Sequence, residues 1–313
     1  MKICGVIVTY NRKELLLENL CSLSAQSLKL DKIFIVDNHG TDHTYEFLCE
    51  KISMEKIEYI YLEDNIGGAG GFSLGLSKAY GEGYDWYMLM DDDGKPADTE
   101  CIKCVVDVIK TLNIRHEEKN LLNSLVINKL NENELTFGGI CRYNTVEEIK
   151  KDGKIVQRGL IVGEINPFNG TFVSHGLIKA IGFPNKEFFI KGDEADYLRR
   201  AKKAGAFVAT VFESRYVHPK VVGQRIRIPF VGEKNIYVEA PWKEYYTVRN
   251  MTYSLLQNGD KVEARKRYYK RLICAVLSKC EKKKVIKMMY LGYEHGKKGL
   301  LGKLKFDERR NMN

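Results

Sequence analysis

At 313 residues, 44% hydrophobic and 29% charged, the chain has the composition of an ordinary soluble protein. It is long enough for one large domain, or for a domain of roughly 200 residues with an appendage. No run of 18 apolar residues occurs, and Met1-Lys2 leads straight into the strand-like Ile3-Cys4-Gly5-Val6-Ile7-Val8 with no signal-peptide pattern, so a spanning helix is not expected and a cytoplasmic location is. The net charge of +9 is uneven: residues 1–218 hold 27 Lys and Arg against 32 Asp and Glu, whereas residues 219–313 hold 23 against 9. Such a basic second part suits an anionic surface, either lipid or nucleic acid.

In chain order, the first hundred residues alternate strand and helix patterns. Residues 2–9 read as a buried strand, and Asn11, with Glu14 three residues on, reads as the cap of a helix through Leu15, Leu16, Leu20 and Leu23. Lys32 to Val36 is a second strand ending at Asp37-Asn38, Tyr45 to Ile52 a helix, and Ile57 to Leu62 a third strand. A glycine-rich turn, Asn65 to Gly71, then precedes a helix from about Phe72 to Tyr80, and the apolar Trp86-Tyr87-Met88-Leu89-Met90 runs into Asp91-Asp92-Asp93. This βαβαβαβ order predicts an α/β fold with a parallel, doubly wound sheet and ligands at the carboxyl ends of its strands.

From about 112 to 165 the pattern weakens, and an extension of the sheet with variable loops is expected, including a strand-like Lys154 to Val162. Phe168 to Val173 is strand-like again, Leu177 to Ile181 a short helix, and Glu187 to Ile190 leads into Asp193. A helix from about Glu194 to Ala204 ends at Gly205, placed as a C′ glycine. Phe207 to Val211 is a strand, and Tyr216-Val217-His218-Pro219 follows. Beyond 240 the chain reads as helical, with Tyr268, Tyr269, Leu272, Ile273, Val276, Leu277 and Cys280 in one stripe and Lys and Arg on the other faces. That helix suits either packing on the rest of the protein or anionic membrane.

Cysteines stand at positions 4, 21, 49, 101, 104, 141, 274 and 280, within apolar runs rather than a regular framework, and are expected as buried, reduced thiols. Cys101-x-x-Cys104 has no second ligand pair and sits on a helical pattern, so a core helix is expected there rather than zinc.

Four consecutive strand ends carry polar or glycine motifs: Thr9-Tyr10-Asn11-Arg12, Asp37-Asn38, Asn65 to Gly71, and Asp91-Asp92-Asp93. One shared cleft accounts for them more economically than four unrelated turns. Three adjacent carboxylates repel one another unless a cation sits among them. Asp91 and Asp93, spaced D-x-D, suit Mg²⁺ or Mn²⁺, and His218, folding back, would favour Mn²⁺. Such a set meets the needs of a nucleotide-sugar transferase: a held base and ribose, a metal at the diphosphate, and a base for the acceptor hydroxyl.

The combination of Val8-Thr9-Tyr10-Asn11-Arg12, Val36-Asp37-Asn38, Asn65-Ile66-Gly67-Gly68-Ala69-Gly70-Gly71-Phe72, Asp91-Asp92-Asp93 and Phe189-Ile190-Lys191-Gly192-Asp193-Glu194 resembles inverting glycosyltransferases of family 2, over about residues 2–250. The glycine segment and Tyr245-Tyr246-Thr247-Val248-Arg249-Asn250 are similar to the galactofuranosyltransferase and rhamnosyltransferase branch. The resemblance implies a GT-A (Rossmann-like) catalytic domain over residues 1–220, a mostly parallel sheet flanked by helices, followed by a basic helical region over 221–313 that could associate with membrane. It implies donor contacts from Thr9, Tyr10, Asn11, Arg12, Asp37, Asn65, Gly67, Gly68, Ala69, Gly70, Asp91 and Asp92. It further implies metal ligation of Mn²⁺ or Mg²⁺ by Asp91, Asp93 and His218, Asp193 as general base, and acceptor contacts from Glu194 and Asp196. In an inverting displacement one carboxylate takes the acceptor proton while the nucleoside diphosphate leaves from the opposite face; Asp193 could equally cap the helix it precedes.

The expected reaction moves galactofuranose from UDP-galactofuranose onto a lipid-linked or cell-surface polysaccharide precursor at the inner face of the cell membrane. The same fold with dTDP-rhamnose is the alternative, left open because Gly192 stands where the galactofuranosyl branch often carries Trp. A nucleic-acid-binding module built on the basic tail is the non-enzymatic alternative. It is disfavoured because the tail lacks helix-turn-helix spacing, zinc ligands or an aromatic RNA-binding signature, so no nucleic-acid partner is expected. A nucleotidyltransferase would carry its glycine-rich loop after the first strand, where this chain has Thr9-Tyr10-Asn11-Arg12. Homo-oligomerisation is compatible with the sequence and not specified by it.

Overall fold

A computed structural model describes residues 1–137, 143–152, 154–220, 222–228 and 232–304. The chain forms two compact units. The first comprises Met1–Asn65, Gly71–Phe183 and Tyr197–Lys220; the second comprises Ile66–Gly70, Pro184–Asp196 and Val221–Asn313. The expected division after residue 220 is therefore crossed by two segments, the glycine run and the stretch that carries Asp193.

The first unit opens with β1 (Ile3–Thr9), α1 (Lys13–Ser24), β2 (Lys32–Asp37), α2 (Thr44–Cys49), β3 (Ile57–Tyr61), α3 (Gly67–Gly81) and β4 (Trp86–Asp91). β5 (Lys95–Pro96), α4 (Cys101–Thr111), β6 (Asn120–Asn128), β7 (Asn131–Leu135), α5 (Val146–Asp152), β8 (Leu160–Val162), β9 (Asn169–Ser174) and α6 (His175–Ile181) follow. α7 (Asp193–Lys203) and β10 (Phe207–His218) come next. Among the described residues the strands form a ten-stranded sheet in the order β3-β2-β1-β4-β9-β6-β10-β5, with β7 on β6 and β8 on β10. β3, β2, β1 and β4 run parallel, as do β6 and β10; β9 enters antiparallel between β4 and β6.

The sheet is covered on both faces because its strands alternate without a polar side. In β1, Ile3 and Ile7 join one core with Leu16 and Leu20 of α1 and Val105 and Val106 of α4. Cys4, Val6 and Val8 point into the other, with Phe72 and Leu76 of α3, Leu177 of α6 and Tyr197 and Ala201 of α7. α7 keeps Asp193, Glu194 and Asp196 in its first turn and Arg200, Lys202 and Lys203 in its last, matching the helix dipole. Its end is the expected one: Gly205 has φ +74, its N–H reaches the Lys202 carbonyl, and the Ala206 N–H reaches that of Ala201.

Several local expectations are corrected. Asn11 does not cap α1; its φ is +54, Arg12 is the cap position, and the Asn11 Oδ1 accepts from the Thr41 N–H at 2.6 Å. The glycine run is the opening of α3, not a turn before it. Cys4 and Cys101 are buried, but Cys21 and Cys49 are exposed and Cys104, Cys274 and Cys280 half-buried; Cys141 lies outside the described residues. Cys101-x-x-Cys104 is on helix α4 as expected, with the Cys101 thiol against the hydroxyls of Ser124 and Ser214.

The second unit contains a hairpin, β11 (Gln224–Ile228) and β12 (Gly232–Ile236), and three helices, α8 (Pro241–Gln257), α9 (Lys261–Leu277) and α10 (Lys282–Lys298). α8, α9 and α10 share a core of Val248, Tyr268, Ala275, Val285 and Met289. Stacking of Tyr268 on Tyr293 at 4.1 Å ties α9 to α10. None of the described helices is long and apolar enough to cross a membrane.

Candidate active site

The strand register of the first unit aligns its motifs. Val8 pairs with Asp91, and Thr9 pairs with Asp37, so three strands end at one level. Beyond that level Asp92 is 5% exposed. Its carboxylate accepts from the Thr9 hydroxyl at 3.0 Å and from the Arg12 guanidinium at 3.1 Å. Burial pushes the Asp92 pKa up to about 6, helped by the charge of Asp93 and opposed by Arg12 and Thr9. Arg12 also donates to Asp93 at 2.9 Å.

Asp91, Asp93 and His218 each bring a ligand atom within 4.8 Å of the others. His218 Nε2 lies 3.1 Å from Asp93 Oδ1. Its Nδ1 lies 2.8 Å from the Pro219 carbonyl, so Nδ1 donates there and the ring is oriented with Nε2 towards the carboxylates. Burial disfavours charge on the ring, but the hydrogen bond and charge of Asp93, with that of Asp91, outweigh it and raise the pKa. Burial likewise works against ionisation of Asp93, and His218 and Arg12 reverse that effect and hold it low. Two carboxylates and an oriented imidazole within such a span fit a divalent cation of the Mg²⁺ or Mn²⁺ kind. Among the described residues this is the one group of three or more His, Cys, Asp or Glu with that spacing.

The loop after β2 forms the wall of a cavity of about 650 Å³ lined by Asp37, Gly40, Thr41, Thr44, Tyr59 and Tyr61 among others. Asp37 is 2% exposed, and its carboxylate accepts from the Gly40 N–H at 2.7 Å and from the Tyr59 hydroxyl. The Lys13 N–H donates to Asp42 Oδ2 at 3.2 Å and Lys13 Nζ to the Asp42 carbonyl at 2.8 Å. With the Asn11 to Thr41 bond, these clasp the loops after β1 and β2 together. Tyr10 projects beside them, 47% exposed.

Within the second unit a strained loop, residues 187–192, leads into Asp193. Phe189, Lys191 and Gly192 have φ of +65, +66 and +82. Arg249 and Asn250 of α8, 1% and 0% exposed, hold that loop by its backbone. The Asn250 amide donates to the carbonyls of Phe188, Ile190 and Lys191 at 3.0, 2.9 and 2.7 Å. The Arg249 guanidinium donates to the carbonyls of Glu187, Phe188 and Gly302 and to Asn250 Oδ1. The Phe189 carbonyl accepts from the Ala69 N–H at 3.0 Å. At Gly67, φ +77, a Cβ would lie 2.0 Å from that carbonyl, so glycine is required there. At Gly192 the positive φ would strain any side chain larger than hydrogen.

Asp193 is 6% exposed at the start of α7. Glu194 is half-buried beside it. Asp196, the other residue expected at the acceptor, is 5% exposed and accepts a hydrogen bond from Ser254. Thr9 and Asp92, expected at the donor, bond to each other, and Asp92 also to Arg12. The Ala69 N–H is committed to Phe189, leaving its donor contact to other atoms. Asp37 lines the cavity, and Asp91, Asp93 and His218 come together as the motifs imply. Asn65 ends one segment of the first unit, and Gly68 and Gly70 lie in the first turn of α3. Sequence reasoning quoted Arg249 and Asn250 without a role, and overlooked Gly40, Tyr59 and Tyr61 altogether.

The architecture is shared with solved structures that fix its class. TarS residues 1–349 of S. aureus, in complex with UDP-GlcNAc, superimposes with a TM-score of 0.53 at 16% identity, covering 100% of this chain and 78% of that one. GalNAc-T7 with UDP, GalNAc and Mn²⁺ gives a TM-score of 0.58 at 15% identity, covering 93% and 55%. At such identities the likeness shows the fold alone, the GT-A fold of glycosyltransferases. By sequence, residues 4–114 match the family model described as Glycosyl transferase family 2. Galactofuranosyltransferase GlfT1 of Mycolicibacterium smegmatis is 30% identical over 264 residues, 82% of this chain and 84% of that protein. GlfT1 of Mycobacterium tuberculosis H37Rv is 30% identical over 263 residues, 82% of each chain. The chain belongs to glycosyltransferase family 2 and is a glycosyltransferase.

Proposed function

We propose that the protein is a metal-dependent, inverting galactofuranosyltransferase that uses UDP-galactofuranose and extends a lipid-linked or cell-surface polysaccharide precursor. The observation that carries the sugar assignment is the 30% identity, over 82% of the chain, to relatives named galactofuranosyltransferase. The nucleoside is received beside Asp37, in the cavity that also has Gly40, Tyr59 and Tyr61 in its walls. Thr9 and Arg12 act by holding Asp92, and Arg12 also steadies Asp93, so that Asp91, Asp93 and His218 keep their spacing. A divalent cation bound by these three, Mn²⁺ favoured by the imidazole, would neutralise charge gathering on the departing diphosphate.

Asp193 takes the acceptor proton at its carboxylate, and Glu194 orients the acceptor. Arg249 and Asn250 fix the backbone from which Asp193 projects, so its carboxylate is held in place before substrate arrives. Gly192, in place of the branch's frequent tryptophan, leaves room for the second reading, the same chemistry with dTDP-rhamnose. The test is a panel of nucleotide sugars with Mn²⁺ and a polyprenyl-linked acceptor, with nucleotide release and product mass as readouts. UDP release with UDP-galactofuranose is expected; turnover with dTDP-rhamnose alone selects the second reading, and turnover with a purine nucleotide sugar alone overturns both.

A further inference from the structure

α9 was expected to carry one apolar stripe, and it carries two. Its inner side places Ala264, Tyr268 and Ala275 in the core, with 1%, 7% and 0% exposure. Its outer side exposes Val262, Tyr269, Ile273 and Val276 by 81%, 61%, 59% and 52%. At 100° per residue these four fall within an arc of about 60°, roughly 130° from the inner set. Lys266 and Lys270 border the arc on one side and Arg265 on the other, all exposed. The neighbouring Arg267 and Arg271 are neutralised by Glu263 and Glu244, whereas Arg265, Lys266 and Lys270 make no ion pair among the described residues.

We propose that this outward face of α9 docks the enzyme on an anionic lipid bilayer. A continuous exposed apolar stripe inside a rim of unpaired cations is the pattern of a helix lying in the interface, with side chains entering the acyl boundary and cations meeting the head groups. A second copy of the chain fits less well, because a two-fold contact through this face would desolvate Arg265, Lys266 and Lys270 with no acidic residue inside the arc to pair them. Nucleic acid would use the cations and leave Val262, Ile273 and Val276 in water. The segment as a whole, with 23 Lys and Arg against 9 Asp and Glu over residues 219–313, adds long-range attraction of the same sign. The inference stands apart from the identity of the transferred sugar.

The test is co-sedimentation of the full chain with phosphatidylglycerol and phosphatidylcholine vesicles, alongside light scattering without lipid. Association with phosphatidylglycerol is expected, weakening with salt, and little with phosphatidylcholine. Arg265→Glu/Lys266→Glu/Lys270→Glu should lower the partition coefficient roughly 100-fold, and Tyr269→Ser/Ile273→Ser should lower it at any salt concentration. Lys51→Glu/Lys110→Glu/Lys203→Glu, equal in charge but distant in sequence, should change it far less. All these positions are exposed, so folding is retained and is verified by circular dichroism. Equal partition of the two charge-reversed triples, equal binding to neutral and anionic vesicles, or a dimer abolished by the α9 substitutions would each overturn the proposal. Binding of duplex RNA without binding of vesicles would also overturn it.

Discussion

Replacing Asn250 by Ala should free the loop before Asp193 while leaving the fold standing. Phe189 and Lys191 are held at φ +65 and +66, a conformation that costs about 1–2 kcal/mol for each non-glycine residue. Against this, two amide N–H donors of Asn250 are shared by three carbonyls. At about 1 kcal/mol net per bond, plus the penalty of buried carbonyls left unpaired, they supply about 2–4 kcal/mol. The two sums are equal in size, so removing the amide tips the loop towards other conformers. A total stability of about 5–15 kcal/mol survives the change. Amides of residues 187–193 should exchange with deuterium faster in Asn250→Ala, with a modest drop in the urea midpoint. Transfer should fall about 100-fold through misplacement of Asp193, with UDP affinity nearly unchanged. Asn250→Asp keeps the volume and the acceptor for Arg249 but turns a donor towards carbonyls into a second acceptor. It should therefore release the loop as well. Unchanged exchange in the Ala variant, or wild-type behaviour of the Asp variant, would refute the reasoning and leave Asn250 a packing residue.

Asp193→Asn should retain nucleotide-sugar binding, measured by calorimetry, and lose transfer by roughly 10²–10⁴-fold; near-normal turnover would remove Asp193 from the role of base. Asp93→Ala and His218→Ala should each weaken Mn²⁺ binding, read by the metal's paramagnetic relaxation or by titration. Chelation should abolish wild-type turnover, and a variant that binds Mn²⁺ as tightly as wild type would displace that residue from the site. Gly67→Ala places a methyl 2.0 Å from the Phe189 carbonyl at φ +77. The φ alone costs about 1–2 kcal/mol, so the urea midpoint should fall by at least that equivalent, and an unchanged midpoint would mean that the segment relaxes freely.

The parallel strands β1 to β4 were legible because each is a short apolar run closed by a polar or glycine signal, a pattern that local chemistry imposes. β6 was not. Its nine residues are all buried, yet Asn120, Asn123, Ser124 and Asn128 interrupt the apolar run. Asn123 and Ser124 are satisfied by partners distant in sequence, the Asn123 amide on the Asn169 carbonyl, the Thr171 hydroxyl on Asn123 and the Ser124 hydroxyl on the Gly170 carbonyl. Periodicity cannot register a hydrogen bond between residues 46 or 48 apart. The glycine run misled in the opposite direction: glycine is costly inside helices, and the helical start at Gly67 is held by the Phe189 carbonyl, which lies far along the chain.

The same distinction runs through the site. Asp91 and Asp93 could be named from their chemistry, since clustered carboxylates have few inexpensive uses apart from a cation, and His218 from the family resemblance. Asp92, chemically identical to its neighbours, takes a different place: in the turn after β4 it is buried on Thr9 and Arg12, and only three-dimensional packing reveals that. Asp196 follows the same logic on α7, one turn after Asp193 and buried on Ser254. Arg249 and Asn250 were visible as residues but not as a device, because what they grip is backbone, and a carbonyl has no signature in the sequence. The loop they grip nevertheless leaves a trace. Positive φ at Phe189 and Lys191 is unfavourable for those side chains, and such strain persists only where surrounding structure over-determines it. Strain next to Asp193 and a buried cationic clamp beneath it are two halves of one arrangement, which is why disrupting the clamp, rather than Asp193 itself, is the sharper test of whether the loop's conformation serves the reaction.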